Sequence, residues 1–129
     1  MFYYWLSSGN YEGKKLLTTM NHISDKNTAT EALRQLEKIN QEMRAISALA
    51  VLNDGMINNH NDSKVKEHYN NIIRYNAKYE KLKDSLSLYD MLEFEGLQMP
   101  LWNGKEGNVI AWEFAFMPAF NQLTRYFNS

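Results

Sequence analysis

The side chains best suited to chemistry in this chain are its three histidines, His22, His60 and His68. Asp62 and Glu67 lie close to His60 and His68 in the sequence, and a mixed set of histidines and carboxylates can bind a metal ion. The spacing does not match an HxxxH pair, and His60 and His68 fall on either side of a predicted helix start. We therefore predict no metal site, and a metal-dependent hydrolase is the third of three functional hypotheses.

The sequence contains no motif for covalent or phosphate chemistry. There is no cysteine, no serine occurs in a GxSxG elbow, and the six glycines form neither GxGxxG nor a P-loop. Glu93 and Glu95 lie two residues apart, so on a helix their carboxylates diverge and are poorly placed for paired acid catalysis. We predict no catalytic residue and no cofactor, and we favour a protein that is not an enzyme.

A basic stripe lies in the middle of the chain, where Arg74, Lys78 and Lys81 are spaced at i, i+4 and i+7. On a helix this spacing puts the three cations on one face, and Tyr75 and Tyr79 flank them. Such a face can contact a phosphate backbone and stack bases, or it can be an ordinary solvated face beside a core that contains tyrosines. Nucleic-acid-binding domains are usually basic, whereas this chain has a formal charge of −1, so nucleic acid is our second hypothesis.

Trp102 and Asn103 fall in a predicted turn, where an exposed tryptophan would anchor a protein partner. Trp102 can also be largely buried in the core, as expected for the other tryptophans. The favoured hypothesis is a non-catalytic protein-interaction module, such as an inhibitor, an immunity-type partner or an assembly subunit. It would bind another protein or a second copy. The predicted partner-binding residues are Arg74, Lys78, Lys81, Trp102 and Asn103.

Composition is typical of one globular domain. The 129 residues suffice for a single domain, 1–129, and 44% of them are apolar. The lack of cysteine fits a reducing compartment, so we expect a cytoplasmic protein. The apolar run 2–6 is too short for a signal peptide or a membrane span, and we expect no membrane contact. Many asparagines and eight tyrosines, both with AT-rich codons, are compatible with a phage or mobile-element origin.

Two segments with apolar stripes are predicted to form an antiparallel helical hairpin. The first helix begins at the capping box Thr28 to Glu31 and runs to about Asn53, at the stop signal 53–55. The second segment, 62–95, contains neither glycine nor proline and is capped by its first residue or by Ser63. A short connection between two such helices favours antiparallel neighbours.

The sequence leaves open whether 62–95 is one helix or two. A continuous helix would be about 50 Å long. The segment is basic at its start and acidic at its end, which is the reverse of what a helix dipole prefers. Ser87 to Asp90 also fits a capping box, so a break near 84–87 competes with a continuous helix.

The end of the chain alternates in polarity and predicts a small β-hairpin. Strands over 97–102 and 108–116 would flank a turn at 103–107. The competing interpretation is one helix over 108–127 with a kink at Pro118. Since a residue before proline avoids the helical conformation, we favour a break there and a last helix that begins with Pro118. One parity of the second strand carries four large residues: Ile110, Trp112, Phe114 and Phe116.

The first residues predict two further elements. The aromatic run 1–6 suits a buried N-terminal strand, with an aromatic plug packed on helices as the alternative. Residues 14–23 are predicted to form a short helix, closed by the polar run 24–27. The predicted fold is mainly α: a helical hairpin or bundle with a small C-terminal β-hairpin and an N-terminal strand.

Overall fold

The computed structural model describes residues 22–58 and 61–128, which form four helices and one two-stranded sheet. The mainly α prediction is confirmed. The predicted N-terminal strand, and all but the end of the helix predicted over 14–23, lie outside the described residues. In chain order the elements are α1 (Lys26–Val51), α2 (Asp62–Asp84), α3 (Leu88–Glu95), β1 (Gln98–Pro100), β2 (Glu106–Asn108) and α4 (Val109–Asn128).

Helices α1 and α2 pack as an antiparallel hairpin, as predicted. Contacts run in opposite directions along the two helices: Glu42 meets His68, and the earlier Lys38 meets the later Tyr75. Apolar side chains recur every three or four residues on the facing sides, so one face of each helix is removed from water. The buried stripes include Ala32, Leu36, Ile39, Met43 and Ile46 of α1 and Val65, Tyr69, Ile72 and Tyr79 of α2.

Helix α1 starts one turn earlier than predicted. Its N-cap is Asp25, whose carboxylate accepts from the backbone N–H of Thr28 at 3.1 Å. The predicted cap, Thr28, lies in the first turn and donates its hydroxyl to Asp25 at 2.7 Å. Aspartate caps a helix at least as well as threonine, so the earlier residue begins it. Both bonds hold the pKa of the Asp25 carboxyl below its ordinary value.

The stop after α1 is confirmed. The helix ends at Val51, and Asp54 and Gly55 then adopt positive φ angles of 55° and 79°. Glycine takes this left-handed conformation without steric cost, and aspartate tolerates it better than most residues do. The backbone N–H of Gly55 donates back to the carbonyl of Ala50 at 2.7 Å, which closes the end of the helix.

The predicted caps of α2, Asp62 and Ser63, are wrong. Asn61 precedes the helix, and it makes no side-chain cap bond. Its buried amide donates instead to the carbonyl of Leu49 at 3.2 Å and to that of Met56 at 3.1 Å. Its side-chain oxygen, which would have to accept a cap bond, accepts from the backbone N–H of Asn58 at 3.0 Å, so this side chain fixes the loop conformation instead.

Residues 62–95 form two helices. Helix α2 ends at Asp84, and Ser87 caps α3 by accepting from the backbone N–H of Asp90 at 3.1 Å, so of the two alternatives that the sequence leaves open the chain adopts the break. The Asp90 carboxylate accepts from the backbone N–H of Ser24 at 2.8 Å and of Asp25 at 3.1 Å. One buried carboxylate therefore joins α3 to the start of α1.

The β-hairpin is present but shorter than predicted. Strands β1 and β2 pair antiparallel, with Met99 opposite Gly107. The chain passes directly from β2 into α4, and a Cβ at Gly107 would come within 2.8 Å of the Cβ of Ala111. The strand predicted over 108–116 is wrong because α4 begins at 109, and the break predicted at Pro118 is wrong because Pro118 lies inside α4.

Helix α4 forms because its first turn is capped and its aromatic residues match helical spacing. The side chain of Asn108 accepts from the backbone N–H of Ala111 at 2.8 Å, which satisfies a free donor of the first turn. Trp112 and Phe116 lie four residues apart, are both buried, and stack with ring centroids 4.8 Å apart. On a helix this spacing puts both rings on the buried side, while Phe114, which a strand would place beside them, lies on the exposed side.

A buried amide holds the hairpin and α4 against α1. Asn40 is fully buried, and its side chain donates to the carbonyl of Pro100 at 3.2 Å. The same amide accepts from the indole N–H of Trp112 at 2.7 Å. Since both groups would otherwise be buried without partners, Asn40 fixes how β1 and α4 sit on α1.

Candidate functional site

The predicted basic stripe lies on the exposed side of α2. Arg74, Lys78 and Lys81 are all exposed, as their spacing predicts. Arg74 bonds to the side chain of Asn71 on the same helix, and its guanidinium lies 5.6 Å from the ring centroid of Tyr75. The stripe is therefore a solvated face that makes local contacts along its own helix.

The two tyrosines beside the stripe are poorly placed to stack bases. Tyr79 is buried in the core, and its ring lies 6.3 Å from that of Phe94. Tyr75 is half-buried, and both Arg74 and Lys38 lie over its ring. Stacking of bases needs an exposed face of an aromatic ring. The structure therefore favours the alternative in which both tyrosines belong to the core.

Trp102 and Asn103 lie in the hairpin turn. Trp102 is half-buried against the core, and its Nε1 is buried with no hydrogen-bond partner in the part of the chain that the structure describes. Asn103 is exposed, and its side chain accepts from the backbone N–H of Lys105 at 3.1 Å. The five predicted partner-binding residues thus lie on two separate elements, α2 and the hairpin.

Trp102 forms part of the wall of an apolar groove of about 350 Å³ between α1 and α4. The groove is lined by the second halves of both helices, including Met43, Ile46, Leu123 and Tyr126. None of its described lining residues is charged. The groove therefore offers shape, but little by which one class of partner could be distinguished from another.

A second apolar surface lies on α4, on the side away from the core. Ile110, Phe114 and Met117 follow at i, i+4 and i+7, and they are 39%, 74% and 44% exposed. Their spacing puts them on one side of the helix, in a strip about 10 Å long. With Glu95 of α3 and Glu113 of α4 they line a shallow hollow of about 280 Å³. We call these five residues the Phe114 face.

Helix α3 also carries exposed apolar side chains. Leu88 and Leu92 are 78% and 62% exposed. They share a side of α3 with Glu95, because the three residues are spaced at i, i+4 and i+7. Soluble monomers rarely leave large contiguous apolar areas in water, so such a surface marks a site of interaction or a risk of aggregation.

The polar groups of the Phe114 face are hydrogen-bond acceptors. Glu113 accepts from the Tyr79 hydroxyl and from the Lys83 ammonium, each at 2.6 Å. Burial, followed by the bond to Glu113, raises the pKa of Tyr79 far above its ordinary value, so this hydroxyl stays a neutral donor. Within residues 22–58 and 61–128, the Glu95 carboxylate has neither a hydrogen bond nor an ion pair.

Pro118 removes one backbone hydrogen bond of α4 next to Phe114. In a helix the carbonyl of residue i accepts from the N–H of residue i+4, but proline has no N–H. The carbonyl of Phe114 therefore lacks the donor that its helical neighbours have. One helical hydrogen bond is thus missing next to the most exposed ring of α4.

Sequence reasoning missed the Phe114 face because it assigned 108–116 to a strand. On a strand, Trp112 and Phe114 share a side, whereas on a helix they diverge by about 160°. Read as a helix, the spacing does contain the face, since Ile110, Phe114 and Met117 match one stripe and Trp112 and Phe116 match another, but the same residues also fit a strand. Two apolar stripes on one helix predict one side for the core and one for a further contact.

The histidines do not form a metal site in the described chain. His68 contacts the carboxylate of Glu42, which also accepts from Asn71 at 2.9 Å. His22 is exposed, and His60 lies outside the described residues. No group of three or more metal-ligating side chains occurs among residues 22–58 and 61–128. The His68 imidazole therefore acts as part of the contact between α1 and α2.

Glu37 of α1 is a buried acid outside these surfaces. One carboxylate oxygen accepts from Gln41 at 3.2 Å, and the other is buried with no partner among the described residues. Burial raises the pKa of this carboxyl to about 7, although the Gln41 bond and the charge of Arg44 act in the opposite direction. Because the folded chain holds the Glu37 proton to a higher pH than the unfolded chain does, the stability of the fold depends on pH.

Comparisons with known proteins give no relative from which a function could be transferred. No family model, no curated protein and no solved structure matches the chain. Within the described ranges, no helix combines the length and the apolar character needed to cross a bilayer. The functional argument therefore rests on the surfaces of the molecule.

Proposed function

We propose that this protein is a non-catalytic interaction module that binds another protein through the Phe114 face. The supporting observation is the strip of Ile110, Phe114 and Met117, in which a phenylalanine is 74% exposed. Burying a phenylalanine side chain against a partner contributes about 2 kcal/mol. Large aromatic side chains also carry a large share of the binding energy at protein interfaces.

The residues predicted from sequence contribute less to this proposal. Arg74, Lys78 and Lys81 stay predicted contacts at a solvated face, and Trp102 with Asn103 stays a predicted contact at the hairpin turn. Binding of nucleic acid through the basic stripe also stays a prediction, and steeply salt-dependent binding would support it. A cytoplasmic location, and a role as inhibitor, immunity-type partner or assembly subunit, are expectations from sequence.

A capture experiment with matched variants tests the proposal. Tagged full-length protein, Phe114→Ser and Leu52→Ser would each be incubated with a lysate of the source organism. Leu52 is the matched control because its side chain is 85% exposed and lies beyond the end of α1, on a different surface. Circular dichroism should show that both variants keep the helical fold, since the two side chains contribute little to the core.

We expect the wild type and Leu52→Ser to capture the same protein, and Phe114→Ser to capture at least tenfold less of it. The physical reason is loss of the buried ring at the centre of the contact. Equal capture by all three proteins, or a loss confined to Leu52→Ser, would contradict binding through the Phe114 face.

A further inference from the structure

We propose that the partner of the Phe114 face is a basic amphipathic helix, with apolar side chains on one side and lysines or arginines next to them. This inference rests on the proposed function, because it specifies the chemistry of the partner at the same surface. It follows from the shape of the apolar strip and from the type of polar groups around it.

The apolar strip has the dimensions of a contact between helices. Ile110, Phe114 and Met117 form a ridge over about two turns, and ridges at this spacing pack into the grooves of another helix. Leu88 and Leu92 of α3 supply further exposed apolar side chains on the side of α3 that carries Glu95. A partner helix with apolar residues at i, i+3 or i+4, and i+7 would fit this surface.

The polar groups around the strip require donors from the partner. Glu95 brings a carboxylate without a partner in the described chain, and the carbonyl of Phe114 lacks a helical donor. The nearby ammonium of Lys83 is already bound to Glu113. Covering these acceptors without donors would cost free energy, whereas lysine or arginine would form charge-assisted hydrogen bonds with them.

A second copy of the chain fits this surface poorly. In a twofold contact the same patch meets itself, so the surface that carries the unpaired carboxylate of Glu95 would meet the same surface of the other copy. Like charges brought together in an interface oppose association. In a head-to-tail contact the Phe114 face of one copy would meet the basic stripe of another, which would supply cations. Such a contact would give a dimer that Phe114→Ser dissociates.

Three labelled peptides of roughly five helical turns, about 18 residues each, test the inference. The first carries a leucine stripe flanked by lysines. The second keeps the leucine stripe and has glutamates in place of the lysines, and the third scrambles the first so that no stripe remains. Fluorescence anisotropy would measure their binding to the full-length chain and to Phe114→Ser, Phe114→Leu, Glu95→Gln and Leu52→Ser.

We expect the basic amphipathic peptide to bind with a Kd of about 10 μM, and the other two peptides at least tenfold more weakly. Phe114→Ser should weaken binding about tenfold, and Phe114→Leu should restore most of it because leucine keeps an apolar side chain. Glu95→Gln should weaken binding about threefold and reduce its dependence on salt, since one ion pair is lost. Leu52→Ser should bind as the wild type does.

Several results would overturn the inference and leave the proposed function standing. They are equal binding of the acidic and basic peptides, and no peptide binding despite capture that depends on Phe114. A photo-crosslink from position 114 to residues before His22 would assign the face to the chain itself and would also overturn it. Peptide binding that Phe114→Ser leaves unchanged would overturn it as well. The proposed function fails if capture is indifferent to Phe114, if that crosslink forms, or if the chain forms a dimer that Phe114→Ser dissociates.

Discussion

Glu37 makes the stability of the fold depend on pH. Burial raises the pKa of its carboxyl from the ordinary value of 4.5 to about 7 in the folded chain. Between these two values the folded state keeps the proton and the unfolded state releases it, so the free energy of unfolding falls as pH rises. Below the lower value both states are protonated, and above the higher value the loss is complete.

Replacing Glu37 with glutamine should remove this contribution. A neutral amide is not charged at any pH, and it can still bond to Gln41. We expect Glu37→Gln to be more stable than the wild type by about 2–3 kcal/mol near pH 8, and nearly equal to it near pH 4. Urea unfolding at both pH values measures the difference.

Glu31→Gln is the matched control for this prediction. Glu31 is on the same helix but bonds to Arg34, and this bond lowers the pKa of its carboxyl. A lowered pKa stabilises the fold at neutral pH, and that stabilisation is lost as the pH falls. Glu31→Gln should therefore bring no gain near pH 8. A similar gain in both variants would contradict a specific effect of burial at Glu37.

Asn40 should contribute more to stability than any exposed asparagine. Asn40→Ala would leave the indole N–H of Trp112 and the carbonyl of Pro100 buried without partners. We expect a loss of about 2–4 kcal/mol in the free energy of unfolding, measured with urea. Asn121→Ala, at an exposed position of α4, should change it by less than about 0.5 kcal/mol. Equal losses in the free energy of unfolding for Asn40→Ala and Asn121→Ala would show that the hydrogen bonds of Asn40 contribute little to stability.

At the scale of elements, Pro118 weakens α4 beside the Phe114 face. Pro118→Ala would restore the N–H that bonds to the carbonyl of Phe114, and we expect it to raise the free energy of unfolding by about 1–3 kcal/mol. The same change should weaken binding of the basic peptide a few-fold, because that carbonyl is then occupied. Thermal unfolding and anisotropy measure the two effects.

Pro100→Ala is the control for Pro118→Ala. Pro100 lies in β1, where its carbonyl accepts from Asn40 and where alanine restores no helical bond. It should bring no gain in stability and no change in peptide binding. If Pro118→Ala raised stability but left binding unchanged, the Phe114 carbonyl would be excluded as a contact.

The elements show how far the sequence determines the fold. Apolar stripes and a stop signal predict the helical hairpin correctly, and Ser87 marks the break between α2 and α3. Caps were predicted less well, because Asp25 and Asn61 compete with neighbouring residues for the same role. Which side chain caps and which holds a loop depends on contacts with distant residues, as the bonds of Asn61 to Leu49 show.

The Phe114 face could not be predicted, since strand and helix patterns both fit 108–116. In a strand the alternating large residues of 108–116 share one apolar side, whereas in a helix they divide between two apolar sides. The structure resolves this through Asn40, which is 72 residues before Trp112 and holds its indole N–H. A partner this distant in sequence leaves no trace in the local pattern, so the outer apolar side of α4 appears only in the folded chain.

At the scale of the whole molecule, α4 has two apolar sides with different roles. Its inner side, with Trp112 and Phe116, completes the core above the helical hairpin. Its outer side carries the Phe114 face, whose polar groups, the carboxylates of Glu95 and Glu113, are hydrogen-bond acceptors. Fold stability and partner binding are therefore separable, since changes at Phe114 should leave the core intact.

The same arrangement predicts that the protein is monomeric by itself. A twofold contact through the Phe114 face would bring the Glu95 carboxylates of both copies into one interface, and this repulsion offsets the gain from burying apolar side chains. We expect light scattering to give the mass of one chain at concentrations from about 10 to 200 μM, the range in which weak dimers form.

Charge reversal supplies the matched test, because Glu95→Lys would pair with Glu113 of a second copy. That variant should begin to dimerise at the upper end of the range and should return to a monomer when Phe114→Ser is added. A wild-type dimer that persists in Phe114→Ser would show that a different surface joins the copies.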